Sequence, residues 1–372
     1  MINFANYLPK DQTKRMYTVI GIVVGCVLIL GLIGWGIWYA VKHKGQVTAS
    51  ITNQLLEVIP ENGATAEESS VAARHLDGML VSTDEANTWP VCLMVENAAF
   101  DGVRPQSGLS QASVVYEVIV EGGITRLLAV YGGEAVTKIG PVRSARDTYI
   151  EFVSEMDCLY GYAGGSFTAA QATQSLALKT LNALSSDGRF FWRDKNIFAP
   201  HNLFTSSDLI TLALRDKQLD TREPSYETWT FRDQPEEGSP EARQATLITL
   251  DFSTPAYQVR WEYKEEAGYY ERYNGGVLHT DKENGQALTT RNIIVQMVPP
   301  GEYIEGKGRI NFSVTGEGKV LVFRSGEVVE GTWKKADRVS RTQFFDAAGQ
   351  PIELNRGNTW VEILPTDRSV TY

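Results

Sequence analysis

The chain has 372 residues, of which 43% are apolar and 22% charged, a composition typical of globular proteins with substantial cores. Residues 1–44 hold five Lys or Arg and one Asp, so the remaining residues carry 44 acids against 30 bases within an overall net charge of −10. A surface this acidic repels phosphate backbones and anionic lipid headgroups, which argues against nucleic-acid binding and against a second, peripheral membrane contact.

The N-terminal part contains an uncharged run of 25 residues, positions 17–41. As an α-helix this run extends about 37 Å, enough to cross a hydrocarbon core of about 30 Å with some tilt. Three Lys or Arg precede the run and two follow it, a bias that favours a cytoplasmic N-terminus. We therefore predict a cytoplasmic segment 1–16, a single-pass transmembrane helix 17–41 and an extracytoplasmic remainder, all at the cell membrane.

A second interpretation of the same run starts from Val23-Val24-Gly25-Cys26, which resembles a lipoprotein cleavage box with Cys26 as the lipidated residue. The apolar run continues for fifteen residues past Cys26, whereas a mature lipoprotein turns polar at that point. The pattern favours the uncleaved helix and leaves the lipidation of Cys26 open.

Four further segments follow from changes in pattern along the chain. Residues 42–74 have no sustained apolar pattern and predict an extracytoplasmic spacer. Residues 75–220 combine strand-like runs with helical patterns and predict a mixed α/β domain. A polar connection, 221–244, precedes residues 245–372, in which short strand-like runs alternate with glycine turns and predict a mostly β domain. The predicted fold class is α+β.

The cysteines outside the membrane run, Cys92 and Cys158, lie in apolar, strand-like surroundings. Buried free thiols are the commoner state of isolated cysteines in such strands, although a disulfide is open to them if their strands are neighbours.

Metal and cofactor chemistry have little support in the sequence. Two of the four histidines, His201 and His279, fall in different predicted domains, and neither H-E-x-x-H nor C-x-x-C spacing occurs. The chain also has no P-loop, no G-x-G-x-x-G and no G-x-S-x-G motif. We therefore predict no metal site and no cofactor.

A predicted hairpin concentrates charge near the glycine pair 122–123. A two-residue turn there places Arg126 opposite Ile119, diagonally between Glu117 and Glu121 on one face of the hairpin. The two glutamates are then about 13 Å apart along the strand, too far for a pair of glycosidase carboxylates. This register predicts an ionic cluster of Arg126 with both glutamates.

A helix start follows at residues 140–147. Ser144 with Asp147 is typical of a helix cap, yet Arg143 and Arg146 place positive charge in the first turn, where it opposes the helix dipole. The arginines either pair with nearby carboxylates in a structural network or present their guanidinium groups to an acidic ligand.

Three polar residues in loops are further candidates. Asn97 and Arg104 follow the first long strand, where functional residues concentrate in mixed folds, although turn stabilisation explains them equally well. His201 follows Ala199-Pro200 and is either an acid/base near the same face or a residue that caps and packs a helix entry.

Several ordered blocks support a family resemblance. They are NAAFDGVRPQSGLSQASVVYEVIVEGGITRLLAVY, KIGPVRSARDTYIEF, APHNLFTS, NGGVLHTDKENGQALTTRNIIVQMV and NTWVEILP. Together these blocks, between His75 and Thr371, resemble the YerB-like family of bacterial lipoproteins. The resemblance implies an envelope-anchored, extracytoplasmic protein with an α/β first domain, a β-rich second domain and no settled activity. Family members typically carry a lipobox, and this chain departs from them with its full-length apolar run.

Three functional hypotheses remain. In the leading one, a non-enzymatic envelope protein binds an acidic ligand, such as a wall polymer or a peptide carboxylate, through a polar cluster of six residues: Asn97, Arg104, Arg126, Arg143, Ser144 and Arg146. In the second, a metal-independent hydrolase or transferase acts on envelope polymers, with Glu117 or Glu121 as acid/base and His201 assisting. In the third, the part outside the cytoplasm is structural or docks a partner protein, and glutamates neutralise the arginines.

Overall fold

The computed structural model describes residues 71–233, 243–304, 306 and 308–372. The predicted cytoplasmic segment 1–16, the predicted membrane helix 17–41 and nearly all of the predicted spacer lie outside these residues. Within the ranges given, no helix has both the length and the apolar character needed to span a bilayer.

Strands dominate the fold, and the three α-helices all fall in the first half of the described chain. The elements of this half are β1 (Val71–Ala73), β2 (Leu80–Ser82), β3 (Val91–Glu96), β4 (Val114–Ile119), β5 (Thr125–Tyr131), α1 (Asp147–Glu155), β6 (Leu159–Tyr162), α2 (Phe167–Ser175), β7 (Thr180–Asn182), β8 (Trp192–Arg193), β9 (Leu203–Phe204), α3 (Ser207–Asp216) and β10 (Phe231–Arg232).

The second half contains the remaining strands. They are β11 (Arg243–Gln244), β12 (Leu247–Asp251), β13 (Gln258–Lys264), β14 (Tyr269–Asn274), β15 (Val277–Leu278), β16 (Thr289–Thr290), β17 (Asn292–Val298), β18 (Glu302–Ile304), β19 (Arg309–Asn311), β20 (Gly316–Arg324), β21 (Glu327–Lys335), β22 (Gln343–Asp346), β23 (Leu354–Asn355), β24 (Thr359–Pro365) and β25 (Val370–Thr371). The α+β class, with strands predominating, is confirmed.

An 11-stranded sheet runs through the whole folded part, in the order β11-β21-β20-β17-β24-β4-β5-β3-β6-β7 with β22 beside β21. Its central strands are buried on both faces, which is why β3 and β17 consist almost entirely of apolar residues. β24 from the second half pairs in parallel with β4 from the first half. The two regions predicted as domains therefore share one sheet, and Ser69–Tyr372 form one compact unit.

Separate layers cover the two faces of this sheet. A six-stranded sheet, β15-β14-β13-β12-β25 with β16 beside β14, packs on one face, where Trp261 of β13 donates a hydrogen bond to Glu362 of β24. Helix α1 packs on the other face, where the Phe152 ring stacks on Tyr116 of β4 with 4.4 Å between ring centroids. Alternate residues of β4 therefore point into different layers.

The expectation of two buried free thiols is wrong. Cys92 and Cys158 form a disulfide with their Cα atoms 5.9 Å apart, and both residues are buried. The pairing depends on β3 and β6 being parallel neighbours. A long connection containing β4, β5 and α1 separates the two strands, so their adjacency was not readable from the local pattern around either cysteine.

A buried ionic bridge joins the large sheet to the six-stranded sheet. Arg272 of β14 donates a hydrogen bond to Glu117 of β4, and both side chains have 0% exposure. The Arg272 guanidinium lies 4.4 Å from the centroid of the Trp360 ring and 5.4 Å from that of Trp261. Glu362 is the direct cross-strand neighbour of Glu117. Burial, together with the negative charge of Glu117, raises the pKa of Glu362 well above its usual value and so favours the neutral carboxyl over the carboxylate.

A second buried ionic cluster lies on the helix side of the sheet. Glu155, at the end of α1, accepts hydrogen bonds from Lys335 at 2.7 Å and from Arg341 at 2.9 Å. All three side chains are buried. Since Glu155 belongs to the first half of the chain and its two partners to the second, this cluster also joins the two halves.

Replacing Glu117 with a neutral residue should destabilise the fold far more than replacing its cross-strand neighbour Glu362. Glu117→Gln leaves Arg272 charged, buried and without its anion, and we expect a loss of about 3–5 kcal/mol in the free energy of unfolding. Glu362→Gln is the matched control, because a neutral amide retains the acceptor oxygen for Trp261. Urea unfolding at pH 7 measures both variants.

The control variant Glu362→Gln should also differ from the wild type in how its stability depends on pH. The folded-state pKa of Glu362 is raised, so its contribution to stability is complete below the unfolded pKa and is lost as the pH rises toward the folded value. Glu362→Gln should therefore be at least as stable as the wild type at pH 8. A Glu362→Gln variant that is less stable than Glu117→Gln would contradict this description of the bridge.

Candidate functional site

The hairpin that was expected to gather Arg126 between two glutamates has a different register. Its turn comprises three residues, Glu121–Gly123, and Arg126 pairs with Val118 rather than with Ile119. Gly122 and Gly123 have φ values of 66° and 75°, a conformation that favours glycine and allows the longer turn. Because side chains alternate along a strand, the shift of one residue places Arg126 and Glu117 on opposite faces of the sheet.

Glu121 alone therefore serves as the carboxylate of this cluster. It accepts a hydrogen bond from Arg146 Nε at 2.7 Å and one from Arg126 Nη2 at 3.3 Å. Arg146 Nη2 also donates to Glu121 Oε1, so Arg146 grips this carboxylate with two nitrogens. Backbone carbonyls accept two more hydrogen bonds: Arg126 Nη1 donates to Ser144 O, and Arg146 Nη1 donates to Ala145 O. Both arginines are buried. They form a closed structural network, with little of either guanidinium left for a ligand.

Opposing effects set the pKa of Glu121. Burial disfavours its charged form, but the hydrogen bond from Arg146 and the charges of Arg126 and Arg146 outweigh burial and lower the pKa to about 2. Burial and the charge of Arg146 likewise lower the pKa of Arg126 to about 10.

Asn97 and Arg104 lie on the other side of the sheet, in the polar surroundings of Glu117. The Asn97 amide donates to Glu117 Oε1 at 3.1 Å, and its Oδ1 accepts from Arg104 Nε at 3.0 Å. Arg104 also donates to Ala256 O at 2.7 Å and lies over the Tyr257 ring. Burial lowers the pKa of Arg104 to about 10. These contacts fix loops of the two layers to each other.

Glu96, at the carboxyl end of β3, was missed by the sequence reasoning and organises the more accessible part of the cluster. Its Oε1 lies 3.1 Å from Arg143 Nε, and its Oε2 lies 2.8 Å from His201 Nδ1. The side chain of Glu96 is 4% exposed, whereas those of Arg143 and His201 are 24% and 26% exposed. The missed signal was an acidic residue at the end of an otherwise apolar strand, directly before Asn97.

Backbone contacts hold Arg143 beside Glu96. The amide of Arg143 donates to Met94 O at 2.8 Å, and the amide of Glu96 donates to Pro141 O at 2.9 Å, so the segment before α1 runs along the end of β3. Ser144 is used structurally, since its hydroxyl donates to Ala163 O at 2.8 Å. Among the described residues, the Nη atoms of Arg143 and the Nε2 atom of His201 have no hydrogen-bond partner.

Exposed aromatic residues border this pair. The Phe100 ring meets the His201 ring edge to face, with centroids 5.7 Å apart, and Phe100 is 56% exposed. Phe198 is 91% exposed, and its carbonyl accepts the His201 amide. Arg143 and His201 therefore lie between a buried carboxylate and an apolar surface. We call these five residues, Glu96, Phe100, Arg143, Phe198 and His201, the edge cluster.

The six proposed ligand-binding residues thus divide into two groups. The structure brings Arg126, Arg143, Ser144 and Arg146 together at the carboxyl edge of the parallel strands, and it places Asn97 and Arg104 with Glu117 on the other face. Glu117 and Glu121, the acid/base candidates, are each bound to arginine. In the part of the chain that the structure describes, no group of three His, Cys, Asp or Glu side chains could hold a metal ion.

The low pKa of Glu121 predicts a specific loss of stability in acid. Because the folded-state pKa is depressed, the contribution of Glu121 is present above its unfolded pKa of about 4.5 and is lost as the pH falls toward 2. Glu121→Gln should cost roughly 1–2 kcal/mol at pH 7, and this difference should shrink between pH 4.5 and pH 2. Thermal unfolding across this pH range measures the effect.

Glu317→Gln is the control for this experiment, because Glu317 pairs with Lys334 at an exposed position, 3.7 Å apart. We expect this variant to keep the wild-type pH profile. An unchanged gap between wild type and Glu121→Gln from pH 7 to pH 2 would show that the ionised carboxylate is not what holds the two arginines.

Comparisons with known proteins cover nearly all of the folded part. The family description "Protein of unknown function (DUF3048) N-terminal domain" matches residues 76–220, and the corresponding C-terminal domain matches residues 248–361. The chain is 30% identical over 314 residues to "Putative lipoprotein YerB" of Bacillus subtilis (strain 168), covering 84% of this chain and 92% of the relative.

A solved structure agrees with these matches. The crystal structure of the YerB protein from Bacillus subtilis superimposes with a TM-score of 0.70 at 29% sequence identity, covering 80% of this chain and 99% of that one. The resemblance found in the sequence blocks is thereby confirmed in sequence and in fold. The chain belongs to the YerB-like family of two-domain proteins of unknown function.

Proposed function

We propose that this chain is a single-pass membrane protein whose C-terminal part lies outside the cytoplasm and binds an acidic component of the cell envelope at the edge cluster. Three observations support the location. The run 17–41 is long and apolar enough for a membrane helix, and the Bacillus subtilis relative carries the name "Putative lipoprotein YerB". The disulfide between Cys92 and Cys158 is of a kind that persists in oxidising compartments.

The observation that carries the binding proposal is the way in which Arg143 is held. Glu96 contacts it through Nε, so both Nη atoms remain without a partner among the described residues on a side chain that is 24% exposed. A guanidinium fork in this state suits a carboxylate or phosphate, which it can bind with two parallel hydrogen bonds. Glu96 also fixes the imidazole of His201, and the form of this ring protonated on both nitrogens donates from Nε2 to the same anion.

The aromatic border narrows the class of ligand. Phe100 and Phe198 are exposed beside the charged pair, and apolar rings of this kind contribute contact area that a free inorganic ion does not use. An acidic group attached to a sugar or peptide uses both parts of the edge cluster. We therefore favour an acidic wall polymer or a peptide carboxylate as the ligand.

The position of the edge cluster in the sheet also supports ligand binding there. β3, β4 and β6 run parallel to one another, and the carboxyl ends of β3 and β6 lie at the edge where Glu96 and Arg143 meet. Open sheets with parallel strands bind ligands outside the carboxyl ends of those strands.

A second candidate function follows from the contact between Glu96 and His201. A histidine oriented by a carboxylate at Nδ1, with Nε2 open, is an arrangement used for general acid/base catalysis. In a hydrolase or transferase acting on envelope polymers, His201→Gln would abolish turnover while leaving binding by Arg143 intact. In a binding protein, His201→Gln weakens binding, and wall fragments are recovered unchanged after incubation with the wild type.

The test of the proposal is retention of anionic cell-wall fragments by the full chain in detergent micelles. We expect Arg143→Gln to reduce retention about tenfold or more, since a hydrogen-bonded charge contact contributes roughly 1.5–3 kcal/mol. Arg143→Lys should recover only part of the loss, because an ammonium group cannot form the bidentate contact.

Arg222→Gln removes an exposed arginine elsewhere on the surface and serves as the matched control. Melting temperatures are measured for every variant, and Arg143→Gln should melt close to the wild type. Full retention by Arg143→Gln, or a fall in its melting temperature as large as that of Glu121→Gln, would instead assign Arg143 to the structural network.

A further inference from the structure

A cavity of about 470 Å³ lies at the opposite edge of the large sheet, at the amino ends of β4, β17 and β24. The residues directly before these three strands, Ser113, Arg291 and Asn358, all line it. The three strands are parallel neighbours, so their preceding segments meet side by side. This edge lies about 20 Å from the edge cluster, the length of a six-residue strand.

Four arginines and three carboxylates line the cavity, in a folded part that otherwise carries an excess of acids. The arginines are Arg74, Arg232, Arg291 and Arg356, and the carboxylates are Asp77, Glu134 and Asp233. An acidic protein that gathers guanidinium groups in one concave place creates a local positive potential, which attracts anions against the overall charge.

Two of the carboxylates, Asp77 and Glu134, pair with the same arginine, Arg74. Arg74 donates from Nε to Asp77 at 2.9 Å and pairs through Nη1 with Glu134 at 2.8 Å. The Ser113 hydroxyl lies 2.8 Å from an oxygen of each of these carboxylates and donates its one proton to either of them. Arg74 is therefore fully engaged by carboxylates. Arg232 is engaged by neutral partners, since it donates to Asn355 Oδ1 at 2.6 Å and to Ser325 Oγ at 3.0 Å.

Arg291 is held in place without a counter-charge. Its Nη1 donates to Gly268 O at 2.6 Å and to Ala267 O at 3.1 Å, and it pairs with no carboxylate of a described residue. The stem of the side chain lies against Gly357, where an added Cβ would come within 2.7 Å of Arg291 Cγ. Gly357 also has a φ of +123°, so glycine is required there on both counts.

Arg356 has a carboxylate partner that solvent can replace easily. Its Nη1 donates to Gly78 O at 2.5 Å, which fixes the group, and its Nη2 pairs with Asp233, whose side chain is 87% exposed. An exposed partner of this kind contributes little and yields to a better anion. Arg356 and Arg291 come from the segments before two adjacent parallel strands, β24 and β17, and both line the cavity.

We infer that this cavity is a second anion site, which binds a phosphate group carried on a small molecule or polymer end. Phosphate fits because its tetrahedral oxygens accept hydrogen bonds from forks arriving from several sides, whereas a single carboxylate engages one fork in its plane. The volume exceeds that of the phosphate alone and lies within the range of small-molecule pockets. Asn358, Ser110 and Ser113 also line the cavity.

Binding of inorganic pyrophosphate and orthophosphate to the full chain in detergent micelles, followed by isothermal titration calorimetry, tests the inference. The wild type should bind one pyrophosphate saturably in this cavity. Arg291→Gln should weaken the affinity at least tenfold, and it leaves no carboxylate of a described residue unpaired, so the fold should tolerate it. Arg368→Gln, an exposed arginine outside the cavity, is the matched control and should bind as the wild type does.

Two additional variants separate loss of binding from loss of fold. Arg356→Gln removes the guanidinium whose carboxylate partner is exposed and should also weaken binding, so the inference stays testable if Arg291→Gln fails to fold. Arg143→Gln should bind pyrophosphate normally, because the edge cluster lies at the opposite edge of the sheet. If the proposal of ligand binding at the edge cluster fails, the inference about the cavity is therefore unaffected. The absence of saturable binding, equal affinity in Arg291→Gln, or tighter Arg291-dependent binding of citrate than of pyrophosphate would overturn the inference.

Discussion

The ion pair between Glu117 and Arg272 is the constraint on which the arrangement of the two sheets depends. Moving a carboxylate and a guanidinium into a site with 0% exposure costs several kcal/mol for each ion, and only close pairing repays this cost. The pair therefore requires β4 and β14 to meet in one register, with Trp261 and Trp360 excluding water around Arg272. Any sliding of one layer over the other would bury a single charge.

The same constraint explains why Glu117 bridges the two sheets, whereas nearby Arg126 belongs to a separate network around Glu121. Residues on the Glu117 face of β4 point toward the six-stranded sheet, whereas those on the Tyr116 face point toward α1 and the cluster around Glu155. Arg126, on the α1 side, is thus separated from Glu117 by the thickness of the sheet. One carboxylate, Glu121, is left for two buried arginines, and each arginine also donates to a backbone carbonyl.

Features encoded locally were predictable from the sequence, and features that depend on distant neighbours were not. The runs that became β3, β4 and β5 were expected as strands because apolar composition and β-branched residues determine them within a few positions. The turn after β4 was misjudged by one residue, and that error alone moved Arg126 to the wrong face. Arg272 was not foreseen as the partner of Glu117, because 155 residues separate them and local periodicity gives no information about such a pair. The disulfide was missed for the same reason.

Among the described residues, Arg143 and Arg291 both lie at the ends of parallel strands with little or no carboxylate to neutralise them. Arg143 shares its only carboxylate with His201, and Arg291 is held by backbone carbonyls alone. Both follow from the layered fold: Arg291 directly precedes the parallel strand β17, and Arg143 lies in the segment that runs along the carboxyl end of β3. At such strand ends the backbone leaves the sheet and side chains reach solvent. Interior ion pairs such as Glu117 with Arg272 stabilise the layers, so the edges are free to keep positive charge uncompensated. Recognition of anions is therefore expected at the two edges of the sheet, where electrostatic stabilisation of the fold does not consume the cation.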